Sequence, residues 1–200
     1  MEFNNLYQIK KKDLNKSTEV LADAFMDYSM FKYILGGKHN KDNIKIITNF
    51  FIKYAIIYGQ AYASSPDIEG IMLFIDYDNY KFNLFRTLRT GGLSLLKLGR
   101  EAGNRFSQFE EFCEEIHQKA IQKPHQYLMA IGVDSEKQGE GHGGKMLKSL
   151  LEYTDRKKEA CYLETHTLYN VDIYRKYGFE VVSEDTLPNT DIKQWSMLRR

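Results

Sequence analysis

The stretch Tyr127-Leu128-Met129-Ala130-Ile131-Gly132-Val133, followed by Asp134-Ser135-Glu136-Lys137 and then by Gln138-Gly139-Glu140-Gly141-His142-Gly143-Gly144, decides how this chain is read. Its first seven residues are almost uniformly apolar, as in a strand covered on both faces, and they predict a central strand. Beyond the glycines, Leu147, Leu150, Leu151 and Thr154 fall on one side of a helix, and Cys161 to Thr165 reads as a second buried strand. Strand, glycine turn, helix and strand make a βαβ unit.

Glycines let a backbone take positive φ and approach a ligand closely, and the N–H groups at a helix start favour a phosphate or pyrophosphate. The turn therefore has the chemistry of an anion site rather than of a simple connection. A Walker phosphate loop would need Ser or Thr after Gly144-Lys145, and Met146 stands there. The dinucleotide fingerprint G-x-G-x-x-G is met literally by Gly139, Gly141 and Gly144, with Glu164 about 20 residues on. Its context is wrong, because Asp134 to Gln138 separates the glycines from the strand and too little chain follows for further βαβ units.

Working outward, Tyr7-Gln8-Ile9-Lys10 predicts a first short strand and Leu14 to Phe25 a helix. Ile44, Ile47, Phe51, Tyr54 and Tyr58 lie on one face of a second helix that Gly59 would end. Ala61 to Ser64 and Gly70 to Asp76 read as a hairpin around Ser65-Pro66-Asp67. Residues 77–122 then carry two further helical segments, the basic Leu84 to Arg100 and a stripe of Phe106, Phe109, Cys113, Ile116 and Ala120. Glu110, Glu111, Glu114 and Glu115 fill the other face of that second segment and are expected to be a solvated surface without a catalytic role. A short helix around Val171 to Tyr177, a turn at Gly178, a strand through Val181 and Val182 and an alternating segment from Gln194 to Leu198 complete the chain.

The chain has 200 residues, 42% hydrophobic and 28% charged, enough for one globular α/β domain with its own core. Twenty-eight Lys and Arg against 27 Asp and Glu leave a formal net charge of +1, so no global field selects nucleic acid or an acidic membrane. Cys113 and Cys161 are too few for a disulfide framework, and no His/Cys/carboxylate spacing suggests a metal. No signal pattern opens the chain and its most apolar stretch is interrupted by Lys45, Asn49 and Lys53, which predicts a soluble cytoplasmic protein. If the chain assembles with itself, a homodimer is the commonest closed form.

The pattern Q/R-x-x-G-x-G/A, met by Gln138, Gly141 and Gly143 after the strand ending Ile131-Gly132-Val133, resembles the acetyl-CoA pyrophosphate loop of the GNAT superfamily of N-acetyltransferases. Tyr162-Leu163-Glu164-Thr165 followed by Asn170, Tyr174, Gly178 and Phe179 is similar to that superfamily's second block, N-x-x-x-Y-x-x-x-G-F. Pro124-His125-Gln126-Tyr127-Leu128 and Leu163-Glu164-Thr165 resemble the puromycin N-acetyltransferase-like branch in particular. The match covers residues 124–182, and its order is that of the family. The resemblance implies a mixed, mostly antiparallel, splayed sheet flanked by helices, with the helical insert at 77–122 packed where the acceptor approaches.

It also implies acetyl-CoA as co-substrate, no metal, and a small-molecule primary amine as acceptor. Backbone N–H groups from Gly139, Glu140, Gly141, His142, Gly143 and Gly144 would cradle the pyrophosphate, with the edge at Ile131, Gly132 and Val133 taking the pantetheine arm and the thioester oxygen. Tyr174 matches the tyrosine that protonates the leaving thiolate, which suits a phenol with a pKa near 10. Glu164, at the end of a buried strand, is the candidate for taking the amine proton, against a strand-end carboxylate paired with Lys or Arg. Asn170 resembles the asparagine that bonds the pantetheine, and it equally suits the N-cap of the short helix. His166 is a second candidate for proton traffic, while His125 and His142 have no motif behind them. Retained Tyr174 and Glu164 favour an enzyme over a non-catalytic acyl-CoA-binding or regulatory module of the same fold. The sequence does not choose among an aminonucleoside, a polyamine, an amino acid and a peptide N-terminus, since 14 Tyr and 12 Phe suit a core as well as a pocket.

Overall fold

Apolar runs punctuated by turn residues build seven strands among the described residues: β1 (Tyr7–Gln8), β2 (Gln60–Ala63), β3 (Gly70–Asp76), β4 (His125–Val133), β5 (Ala160–Thr165), β6 (Glu180–Thr186) and β7 (Lys193–Arg199). The structure is a computed structural model that describes residues 3, 5–81 and 83–200. The strands form one sheet in the order β1-β2-β3-β4-β5-β7-β6, which puts the apolar run at 127–133 fourth of seven, as expected of a central strand. Every pairing is antiparallel except β4 with β5, the parallel pair of the βαβ unit.

Among the described residues seven α-helices accompany the sheet: α1 (Leu14–Ala24), α2 (Ser29–Leu35), α3 (Lys41–Tyr58), α4 (Leu84–Arg89), α5 (Arg100–Ala120), α6 (His142–Lys157) and α7 (Leu168–Arg175). Alternation along β2 and β3 decides which helix covers which face. Tyr62, Met72 and Phe74 pack with Met146, Leu147 and Leu150 of α6. Ala61, Ala63, Ile71 and Leu73 pack on the opposite face with Val20 and Leu21 of α1 and Ile52 and Ala55 of α3. Helix α3 starts where the Asn40 side chain accepts the Asn43 N–H. It ends at Gly59, where a Cβ would sit 2.6 Å from the Phe74 carbonyl oxygen, so only glycine lets helix and sheet approach this closely.

Two features depart from the sequence reading. Helix α2 has no predicted counterpart; its Phe31, Ile34 and Leu35 are buried against Leu98, Ala102 and Phe109 of the insert. The basic segment expected as one helix from 84 to 100 breaks into α4 and a 3-10 turn at Gly92–Leu98, because Gly91 turns the chain at φ +84°.

The central strand changes partners along its length. Its first residues, His125, Gln126 and Tyr127, pair with Ala160, Cys161 and Tyr162 of β5. Against β3 the register skips, with Leu73 opposite Ala130 and Phe74 opposite Leu128, so Met129 is bulged out. Past this point β4 keeps β3 and parts from β5, whose Leu163, Glu164 and Thr165 pair only with β7. A wedge opens between two buried strands.

Phe74 is fully buried at the centre of the α6 face. Phe74→Ala should cost about 3–5 kcal/mol, read as a lower urea midpoint with unchanged slope.

Candidate active site

The wedge between β4 and β5 is roofed by α5 and α2 and encloses a cleft of about 120 Å³. From β4 and β5 come Tyr127 and Glu164, from α5 come Glu110, Glu114 and His117, and Tyr174 of α7 closes one end. Glu110 and Glu114 are therefore not the solvated residues their pattern suggested. One turn apart on α5, they point with Cys113 and His117 into the cleft, while Glu111 and Glu115 stay exposed.

Glu164 is the most constrained of these groups. Its side chain is 7% exposed, its Oε2 accepts the Tyr127 hydroxyl at 2.7 Å, and its Oε1 is buried with no hydrogen bond among the described residues. Among the described residues no lysine or arginine lines the cleft, so the alternative of a strand-end carboxylate paired with Lys or Arg finds no partner there. Burial pushes its carboxyl up to about 8, opposed by the Tyr127 hydrogen bond and the neighbouring Tyr162 hydroxyl and reinforced by Glu110 and Glu114. Burial likewise pushes Glu110 up to about 7, even though Tyr80 donates its hydroxyl to Oε2 at 3.1 Å. Tyr77 donates to Glu114 Oε1 at 2.9 Å.

His117, which the sequence reading passed over, sits beside Glu164 with Nδ1 3.7 Å from Oε1. Its Nε2 meets His125 Nε2 at 2.7 Å, and His125 Nδ1 meets the Lys123 carbonyl at 2.6 Å. Burial holds the first imidazole neutral, down to about 2, and lowers the second. A carbonyl can only accept, so His125 carries its hydrogen on Nδ1 and His117 carries its own on Nε2. His117 Nδ1 is thus a bare lone pair turned toward Glu164, an arrangement that favours the protonated carboxyl. His166 is neutral too, lowered by burial to about 4, with Nδ1 3.1 Å from the Tyr28 hydroxyl.

A second, more open cavity of about 430 Å³ adjoins the cleft. It is lined by Ile131, Gly132, Val133, Gln138, Gly139, Gly141, His142, Gly143, Gly144, Asn170 and Tyr174. Gly139 and Gly141 stand at φ +85° and +90°, so two glycines of the loop are required by geometry, while at Gly144 a Cβ would press on the Tyr177 hydroxyl at 2.7 Å. Helix α6 begins at His142, and its first N–H groups have no intrahelical acceptors. A groove with bare backbone donors at a helix start fits a pyrophosphate. Glu140 does not line it: its carboxylate turns to Lys137 at 3.5 Å and to His142 at 3.4 Å. Asn170 is not the helix cap either, because Thr167 accepts the Asn170 N–H while the Asn170 amide donates to Thr165 Oγ1 at 3.1 Å. Tyr174 lines both cavities, and burial raises its hydroxyl above the usual phenol range.

No protein-family model matches the chain. An uncharacterised N-acetyltransferase of Schizosaccharomyces pombe is 29% identical, the alignment covering 86% of this chain and 72% of that protein. A structure of histone acetyltransferase HPA2 and related acetyltransferase from Corynebacterium glutamicum superposes with a TM-score of 0.65 at 18% identity, over 98% of this chain and 94% of the other. An N-acetyltransferase from Staphylococcus aureus gives 0.63 at 17%, over 96% and 98%. The fold is that of the GNAT N-acetyltransferases. The Schizosaccharomyces pombe relative carries an N-acetyltransferase name, and the fold agrees with it.

The glycine loop, Tyr174 and Glu164 were recognisable from local sequence, whereas Glu110, Glu114 and His117 were not. The one signal for His117 was its place four residues after Cys113, on the buried stripe of its helix. The buried carboxyls bear on stability. Glu164 ionises near 4.5 when unfolded and near 8 when folded, so the folded chain holds the extra proton and stability falls as pH rises between them. Below about 6.5 the neutral buried histidines act in the opposite sense, since only the unfolded chain protonates them. Between pH 6.5 and 8 the urea midpoint should therefore fall, and Glu164→Gln should flatten that fall.

Proposed function

We propose that this chain is an acyltransferase that moves the acetyl group of acetyl-CoA to a primary amine of a small molecule by direct attack of the amine on the thioester. The observation that carries the reading is that the glycine groove and the carboxylate cleft meet at Tyr174, which lines both. Donor in one and acceptor in the other would bring sulfur, carbonyl and amine together beside that hydroxyl.

The loop N–H groups from Gly139 to Gly144 hold the pyrophosphate, and the unpaired edge of β4 at Ile131 to Val133 hydrogen-bonds the pantetheine arm and polarises the thioester oxygen. Glu164 accepts the proton of the attacking amine, a task matched to a carboxyl of raised pKa. The C–N bond forms, the C–S bond breaks, and the sulfur takes a proton from Tyr174, which burial keeps protonated at neutral pH. The phenol is then reprotonated from solvent and Glu164 gives its proton up. On this reading the whole chain works as one acetyltransferase domain, with the insert at 77–122 roofing the acceptor side and the free thiols Cys113 and Cys161 suiting a cytoplasmic setting. Pro124 to Leu128 and Leu163 to Thr165 are the basis for relating it to the puromycin N-acetyltransferase-like branch.

Acetyl-CoA and CoA, but not NAD(H), should raise the thermal midpoint, by about 2.7 kcal/mol of added stability at 100 times Kd. Tyr174→Phe should lower kcat by a factor on the order of 10² with the acetyl-CoA Kd unchanged, measured by thiol release and calorimetry. The kcat/KM profile should rise through an apparent pKa near 8, where Glu164 loses its proton, and Glu164→Gln should remove that limb. An unaltered kcat in both variants would overturn the assignment.

A further inference from the structure

We infer that the acceptor is a cationic amine with an apolar or aromatic body and no carboxylate or phosphate of its own. This deepens the acetyl-transfer reading and rests on it.

The cleft holds three carboxyl groups, on Glu110, Glu114 and Glu164, and among the described residues no lysine or arginine lines it. Acidic side chains alone would not make a site, but Glu164 Oε1 is buried and lacks a hydrogen bond among the described residues, with its side chain only 7% exposed. Once Glu164 is ionised, Oε1 is a buried acceptor left bare, and an incoming donor recovers the free energy this costs. An ammonium brings such donors and no acceptor to compete with them.

The remaining wall is aromatic. Tyr28, Phe31, Phe51, Tyr80, Phe109 and Tyr127 line the cleft, offering ring faces to a cation and apolar area to its carbon body. An α-carboxylate beside the amine would enter among like charges with no counter-ion, which is a rejection built by repulsion rather than by shape. The enclosed space, about 120 Å³ against about 430 Å³ in the adjoining groove, suits a small body. Helix α5 supplies the discrimination by rotation alone: Glu110 and Glu114 face inward and the equally acidic Glu111 and Glu115 face water.

Matched pairs test this on the full chain saturated with CoA: phenethylamine against phenylalanine, tryptamine against tryptophan, and hexylamine against 6-aminohexanoic acid. Calorimetry should find the uncarboxylated member bound at least about tenfold more tightly, and thiol release with acetyl-CoA should follow the same order. Glu110→Gln at pH 8 should weaken the amine about tenfold with the CoA Kd unchanged, and Glu110→Lys should reverse the preference within a pair. Equal or tighter binding of the carboxylated members, or no amine binding to a protein that does bind CoA, would overturn the inference while leaving the cofactor groove standing. Failure to bind CoA would instead bring down the acetyl-transfer reading and this inference with it.

Discussion

The parting of β4 from β5 after Tyr127 is the constraint on which the rest of the molecule depends. A parallel pair inside a sheet ordinarily keeps its hydrogen bonds to the end. Here the bulge at Met129 bends the central strand along β3, and the two strands diverge with their side chains still buried. Divergence does two things at once. It leaves backbone donors and acceptors of β4 without a strand partner on that edge, and it opens a wedge whose floor is made of core residues. The helix α6 that reconnects the strands begins at the glycine loop, so an anion site arises at the mouth of the same wedge.

A cleft lined by a protein core is a low-dielectric place, and that explains its electrostatics better than any single contact does. Carboxyls there resist ionising, which is why both Glu164 and Glu110 titrate near neutrality. Hydroxyls of Tyr127, Tyr80 and Tyr77 each support one carboxylate, so the negative charge is tolerated without being neutralised. Such a site stays receptive to a cation and to a proton.

Much of the fold was legible because its signals are local. The run at 127–133, the loop glycines and the helix period after them identify a βαβ unit without reference to anything distant. Tyr174 and Glu164 were legible for the same reason, each standing in a short block of fixed spacing. What stayed hidden depends on tertiary placement. The pattern of Glu110, Glu111, Glu114 and Glu115 is identical for a helix in water and for one laid over a wedge, and only the packing of α5 on α2 and the sheet edge selects the second. Helix α2 is seven residues long, too short for its Phe31, Ile34 and Leu35 to stand out as a period. Thr167 and Asn170 are both good capping residues three positions apart, and the choice between them is settled by where the chain leaves β5.

The chain of contacts from Glu164 through His117 and His125 to the Lys123 carbonyl ties the insert to the sheet in an unusual way. Its direction is fixed at the far end by a backbone group that cannot reverse, and His117 belongs to the same helix face as Glu110 and Glu114. A shift of α5 that reshapes the carboxylate cleft therefore also moves the lone pair beside Glu164 and retunes its proton affinity. The shape of the cleft and the basicity of its most buried carboxyl are geared to one helix, so neither can be altered through α5 without the other.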